Sequence, residues 1–368
     1  MRLLRDPLEP MRILYSETMA FYPSSAHFLE ALDARAAAGL CSYRFFDDAR
    51  FVNHVRSIAE RVAARVVGRP RGYRNLNRAF LDEATSFEPD LILIGKGAWF
   101  APATLKTIKQ QTGAVLVNWA TDDPFNPADS SRDLVDSIPI YDLYVCTKRA
   151  IIDEVRRAGC RNTAYVRFGY KPGLHYPELP ATEAEKAKYI CDVVFVGGCD
   201  SERAPYFELL TRELPALRLN LFGGYWDRFP ALRRYWRGFA NGRDFRLAIG
   251  GAKIAANLVR RANRDDHVMR TFEIPACGGF ILTERTPEHA ALFEEDREAA
   301  FFDSPEQFVA QVRRYLASDE REQIAAAARR KVTSEKHSYA DRLAEILAAA
   351  EPLLSSRALA SEARQSAG

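Results

Sequence analysis

The chain has 368 residues, 52 Lys+Arg against 49 Asp+Glu for a formal net charge of +3, and is 27% charged and 47% hydrophobic. One hydrophobic core stops growing near ~250 to 300 residues, so this length predicts two domains, and a near-balanced charge without blocks of like charge sets aside a nucleic-acid footprint. No apolar run approaches the ~18 residues of a spanning helix, and Asp6, Pro7, Glu9 and Pro10 interrupt any signal-peptide stretch, so a cytoplasmic protein with at most peripheral membrane association is expected.

Short β-rich runs alternate with helical patterns, which predicts the α/β class with parallel sheets covered by helices. The first half offers strands at Arg12–Ser16, Tyr43–Phe46, Leu91–Ile94, Val115–Trp119, Leu143–Thr147 and Tyr165–Phe168. After the first of them, MAFYPSSAHFLEAL carries His27, either a substrate-facing imidazole or a structural histidine. GKGAWF follows the third strand and starts like a dinucleotide fingerprint, but Phe100 and Pro102 exclude NAD. NWATDDPFNP places Asp122 and Asp123 at the carboxyl end of the fourth strand, where paired acids suit a general base or hydroxyl recognition, or equally an Asx turn. Phe168 to Tyr189 concentrates Pro172, Pro177 and Pro180 and reads as the linker between domains.

The second half offers strands at Val193–Gly197, Leu217–Phe222, Ile254–Leu258, Phe280–Thr283 and Ala300–Asp303. Gly197 and Gly198 end the first, ahead of a helix opening near Ser201 with Arg203 in its first turn; this is a candidate phosphate cradle or an ordinary βα turn, and neither a Walker A loop nor a dinucleotide fingerprint. Gly223 and Gly224 end the second, and Tyr225 follows, placed to lie against a nucleobase or to pack under a loop. Lys253, before the third, is a candidate for neutralising phosphate charge. In NRDDHVMRTFEIPACGGFILTE, Asp265 and Glu273 enclose seven residues, and a helix beginning near Thr271 must hold Pro275 in its first turn and stop by Gly278. A helix start beside Arg270 with a carboxylate one turn on suits diphosphate plus a vicinal diol, or else Glu273 only complements the dipole and pairs with Arg270.

Ser304, Pro305 and Gln307 supply N-cap, N1 and N3 of a helix whose stripe is Phe308, Val309, Val312, Tyr315 and Leu316, and Ser338 is placed to cap a last one. The composition beyond Leu354 predicts a disordered tail. Six cysteines without a CxxC pair read as reduced core residues, and without an HxH, HExxH or GxSxG motif no metalloenzyme or serine-hydrolase chemistry is indicated.

Together FVGGCDSER, LFGGYW, AKIAANL, RTFEIPACGGFILTE and FFDSPEQFVAQVRRYLASDEREQIAAAARRKVTSEKHSYADRL, over about Asp192 to Leu347, resemble the CgeB-like branch of GT-B glycosyltransferases, close to the group 1 transferases; GYKPGLHYP and WATDDP are similar to the family's connection and N-terminal segments. The resemblance implies two Rossmann-like, doubly wound parallel-sheet domains facing a cleft: an acceptor side at 1–172, a donor side at 173–335, a C-terminal helix at 336–354 that packs back on the first domain, and the tail at 355–368.

It also implies a hexosyl-type transfer from a nucleoside-diphosphate sugar, UDP-sugars among the candidates, to a glycan, lipid-linked or protein acceptor, as in polysaccharide biosynthesis. No cofactor or metal is expected. Glu273 would match the ribose-binding second acid of the family's E-x7-E pattern and Asp265, here Asp instead of Glu, the first, on the donor sugar. Arg203, Lys253 and Arg270 would serve the diphosphate, with Gly197, Gly198, Gly223, Gly224, Tyr225, Thr271 and Phe272 lining the donor. Asp122, Asp123, His27 and Asp265 are the catalytic candidates. An epimerase-type enzyme acting on the donor alone, or a noncatalytic binding protein on the same fold, are the alternatives.

Overall fold

The computed structural model of the chain describes residues 10–19, 27–52 and 69–366. It divides into two compact units, Met1–Arg167 with Ala340–Gly368, and Phe168–Tyr339.

The first unit is built on six parallel strands, β1 (Met11–Glu17), β2 (Cys41–Asp47), β3 (Leu91–Gly95), β4 (Val115–Ala120), β5 (Leu143–Cys146) and β6 (Thr163–Tyr165), in the order β2-β1-β3-β4-β5-β6. Every residue of β3, β4 and β5 is buried, as expected of central parallel strands covered by helices on both faces. One layer packs Leu76, Phe80 and Ile108 against Leu14, Ile92 and Leu116. Local chemistry sets the helix ends: Pro102 opens Pro102–Thr112, and Gly113, at φ 63°, closes it in the left-handed conformation. The chain runs from β1 out to β2 and returns to β3 on the other side of β1, so the strand order reverses between β1 and β3.

The second unit has five parallel strands, β7 (Cys191–Val196), β8 (Leu219–Phe222), β9 (Ala252–Asn257), β10 (Ile281–Glu284) and β11 (Ala300–Phe302), in the order β11-β10-β9-β7-β8, reversing between β7 and β9. The helices Ala204–Glu213 and Pro305–Leu316 cover one face, with Phe207, Leu210, Phe308 and Val312 in the core beside Trp226. Ser304 caps Pro305–Leu316 by accepting the Gln307 N–H at 3.2 Å. All eleven strands expected from the sequence are present, within three residues at either end.

Three boundaries differ from expectation. The stretch from Phe168 to Tyr189 is not a free linker but part of the second unit. It holds the helix Glu183–Tyr189, capped by a Thr182–Glu185 box, and Glu178 takes both Arg243 and Arg246 at 2.6 and 2.7 Å. The last helix runs through the expected tail, Tyr339–Ser366, and its end belongs with the first unit: Arg357 donates to the Gly113 and Ala114 carbonyls and pairs with Asp142 at 2.9 Å. The helix at Arg270–Ala276 carries Pro275 beyond its first turn. Among the described residues no helix is long and apolar enough to cross a membrane.

Candidate functional site

In open α/β sheets ligands sit at the carboxyl ends of the strands where the order reverses. In the second unit that point lies between β7 and β9, and two arginines are pinned there by main-chain carbonyls. Arg203, 8% exposed, donates to the Gly198 oxygen past β7 at 3.1 Å and to the Leu258 oxygen past β9 at 3.0 Å. Burial lowers its pKa, opposed by Asp200. Arg270 donates to the Val196 oxygen at 3.1 Å, lies over the Phe245 ring at 4.5 Å and pairs with Glu273.

Glu273 is buried, with Arg270 on one side and the His175 Nε2 at 3.5 Å on the other. His175 Nδ1 accepts the Lys171 N–H at 3.0 Å, which leaves the ring proton on the nitrogen facing Glu273. Burial lowers the pKa of this imidazole against the pull of Glu273. His175 lies in the proline-rich stretch read as a linker, and nothing in the local sequence marks it. Asp265, also buried, accepts from Asn263 at 3.0 Å.

The glycines bring two loops together backbone to backbone. Gly197 N–H reaches the Phe222 oxygen at 2.9 Å, Cys199 N–H the Gly224 oxygen at 2.9 Å, and a Cβ on Gly223, at φ 121°, would lie 2.3 Å from the Gly197 oxygen. Tyr225 follows at φ 72°, a left-handed conformation uncommon for a non-glycine residue, with its ring exposed beneath the Arg228 guanidinium at 4.2 Å.

Other expected donor residues are placed elsewhere. Lys253 opens β9 and pairs with Asp192 at 2.9 Å, and since the strands are parallel both lie at the amino edge, away from Arg203 and Arg270. Thr271 and Phe272 are enclosed: the Thr271 hydroxyl meets His289 at 2.8 Å and Asn257 at 3.3 Å, and Phe272 packs between His267 and His337. In Arg270–Ala276 every residue but Arg270 is buried. The helix after Gly198 does not offer open amides at its start either, because the Asp200 carboxylate accepts from Glu202 and Arg203 and its carbonyl from Ala204.

In the first unit the order reverses between β1 and β3, and the residue there is one the sequence reading missed. Glu17 ends β1 against Gly95, where a Cβ would lie 2.8 Å from its side chain. Its carboxylate accepts the His27 N–H at 2.9 Å, meets His27 Nδ1 at 2.6 Å and accepts from Tyr15, whose pKa rises through burial first and then Glu17. Asp122 pairs with Lys96 at 2.8 Å; Asp123 is buried and accepts the Phe125 N–H at 2.9 Å, the Asx turn of the structural reading. The signal for Glu17 was an acid closing an apolar strand, ILYSE, within ten residues of a histidine.

The six cysteines are all buried and unpaired with one another, and burial raises the Cys146, Cys191, Cys199 and Cys277 thiols to about 12. Among the described residues no three or more His, Cys, Asp or Glu are grouped to hold a metal ion.

Residues 203–348 match a family model described as glycosyl transferase-like. No curated protein matches the chain. Solved structures share the whole two-sheet fold. Sucrose-phosphate synthase from Thermosynechococcus elongatus has 12% identity and a TM-score of 0.67 over 94% of this chain and 100% of that one. HepE from Anabaena, solved with UDP and glucose, has 13% identity and a TM-score of 0.62 over 94% and 100%. A glycosyltransferase from Rickettsia africae has 11% identity and a TM-score of 0.60 over 94% and 99%. The fold is therefore that of the GT-B glycosyltransferases, and the stretch similar to the glycosyl transferase-like family lies mostly in the second unit.

Proposed function

We propose that the protein is a cytoplasmic glycosyltransferase of the CgeB-like branch that moves a sugar from a nucleoside diphosphate to a glycan, lipid-linked or protein acceptor without a metal ion. The observation that carries this is the pair of arginines held on main-chain carbonyls at the β7/β9 reversal, beside Glu273, in the domain that matches the glycosyl transferase-like family. That HepE was solved with UDP and glucose supports a UDP-sugar as the first donor to try.

Glycosyl transfer builds positive charge at the anomeric carbon and negative charge on the departing diphosphate, so fixed cations meet the largest demand without reorganising. Arg270, half exposed, faces the leaving group, and Arg203 holds the two strand ends in place and adds its field from below. Glu273 takes the ribose hydroxyls, Asp265 the sugar, and the Tyr225 ring the base. In the acceptor unit His27, oriented by Glu17, is the candidate to receive the acceptor proton, with Asp122 and Asp123 beside the same strand ends.

Calorimetric titration with UDP-, GDP- and dTDP-sugars tests the assignment. One donor class is expected to bind, and Arg270→Ala to cost ~10² to 10³ in turnover, by analogy with removing one oxyanion donor. Unchanged nucleotide affinity in both Arg270→Ala and Glu273→Ala would remove the site. An isomerised donor formed without any acceptor would instead assign an epimerase-type reaction, and no binding of any donor would assign a noncatalytic subunit.

A further inference from the structure

Between β8 and the helix Arg243–Gly250 the chain makes two short helical turns, Trp226–Arg228 and Arg233–Tyr235, tied back to the sheet by Trp236 Nε1 on the Gly223 oxygen at 2.8 Å. From Trp226 to Arg243 the sequence has five arginines and one carboxylate, Asp227. Arg243 is neutralised by Glu178 and Glu185, whereas Arg228, Arg233, Arg234 and Arg237, all exposed, make no ion pair among the described residues.

Three of the guanidiniums rest on neutral groups, that of Arg228 on the Tyr225 ring. Arg234 lies over the Tyr235 ring at 4.7 Å, and Arg237 donates to the Asn220 side chain at 3.1 Å and the Arg234 carbonyl at 3.0 Å. Elsewhere on the second unit several exposed arginines meet carboxylates, as Arg218 does Asp192, Arg297 does Glu294 and Arg314 does Asp296, while Arg329 and Arg330 are exposed without an ion pair among the described residues. The whole chain is only +3, so this cationic density is a local feature. At its edge Phe239 is 52% exposed.

We propose that this face, Arg228 to Phe239, binds the anionic phospholipid headgroups of a bilayer surface. Unneutralised arginines draw a protein to anionic lipid, each contributing independently of sequence, and a ring among them gives the apolar contact that a bilayer interface accepts and a soluble polyanion does not. The face borders the proposed donor site, with Arg228 over Tyr225 and Phe239 beside Gly224, but the arginines used for the test, Arg233 and Arg234, are not among the donor-site residues.

Sedimentation of the full chain with phosphatidylglycerol-containing vesicles and with phosphatidylcholine vesicles, at low and high salt, decides it. Binding is expected only to the anionic vesicles and is expected to fall at high salt. The R233E/R234E variant should bind at least ~10-fold more weakly, given the contribution of each basic residue near a charged membrane. Phe239→Ser should weaken binding on the order of 10-fold through lost apolar burial. Circular dichroism and nucleotide affinity of R233E/R234E should equal the wild type, which separates failure of this proposal from failure of the donor site. Equal vesicle binding by wild type and R233E/R234E, absence of vesicle binding, or equally tight binding of a single-stranded oligonucleotide that Phe239→Ser leaves unchanged would each overturn it.

Discussion

At the residue scale, the carboxylate named for the ribose is already gripped. Glu273 has Arg270 and His175 as partners, so a bound diol exchanges existing bonds for new ones instead of filling an open acceptor. His175→Ala removes the weaker partner and is expected to reduce donor affinity less than Arg270→Ala, a ranking that calorimetry of the two variants checks directly. Another histidine gives a pH signature. His289 Nδ1 donates to the Glu284 oxygen at 2.7 Å and Nε2 meets Thr271 at 2.8 Å, a neutral ring with no place for a second proton, and burial lowers its pKa from 6.5 to about 4. The unfolded chain therefore binds the proton first on acidification. The stability this ring contributes is complete above pH ~6.5, declines as pH falls, and is lost through pH ~4, with up to about 3 kcal/mol at stake. Urea denaturation across that window should show this slope, and His289→Gln should flatten it.

At the element scale, the loops after β7 and β8 owe their shape to backbone contact. A Cβ on Gly223 would meet the Gly197 oxygen at 2.3 Å in a left-handed conformation, so Gly223→Ala should cost about 3 kcal/mol and displace Tyr225 with its loop. Denaturant midpoints read the cost, and tryptophan fluorescence reads the displacement through Trp226, whose Nε1 donates to the Gly197 oxygen at 2.9 Å. The Ser304 cap is the simpler case: Ser304→Ala should cost ~1 kcal/mol, measured the same way, because one amide of the first turn loses its acceptor. The Ser304 cap and the strand runs were legible in the sequence because each depends on residues a few positions apart. The glycines before Ser201 suggest a helix opening with available amides; Asp200 takes them, in an Asx turn as local as a cap.

At the scale of the whole molecule, the chain closes the first unit with residues from its far end. Arg357 binds the carbonyls at Gly113 and Ala114 and the carboxylate of Asp142, which also pairs with Lys109 at 2.8 Å. Arg357→Ala should destabilise that unit by about 1 to 3 kcal/mol and leave the second unaffected, as hydrogen exchange resolved by residue would show. A composition rich in Ala, Ser and Arg reads as a tail when its partners lie more than two hundred positions upstream, which is why disorder was expected there.

Alternation of apolar runs with helical patterns, turn glycines and capping residues determined by themselves that the chain makes two parallel sheets, since period and turn chemistry are properties of short windows. Which charges meet was decided only in three dimensions. Arg203 and Arg270 converge because β7 pairs with β9 across sixty positions of sequence, and the same pairing sends Lys253 to the opposite edge. Glu17 and His27 lie only ten positions apart and join past the end of β1, but that this end is the β1/β3 reversal follows from the strand order alone, because the energy that sets it comes from burying whole strand faces against helices.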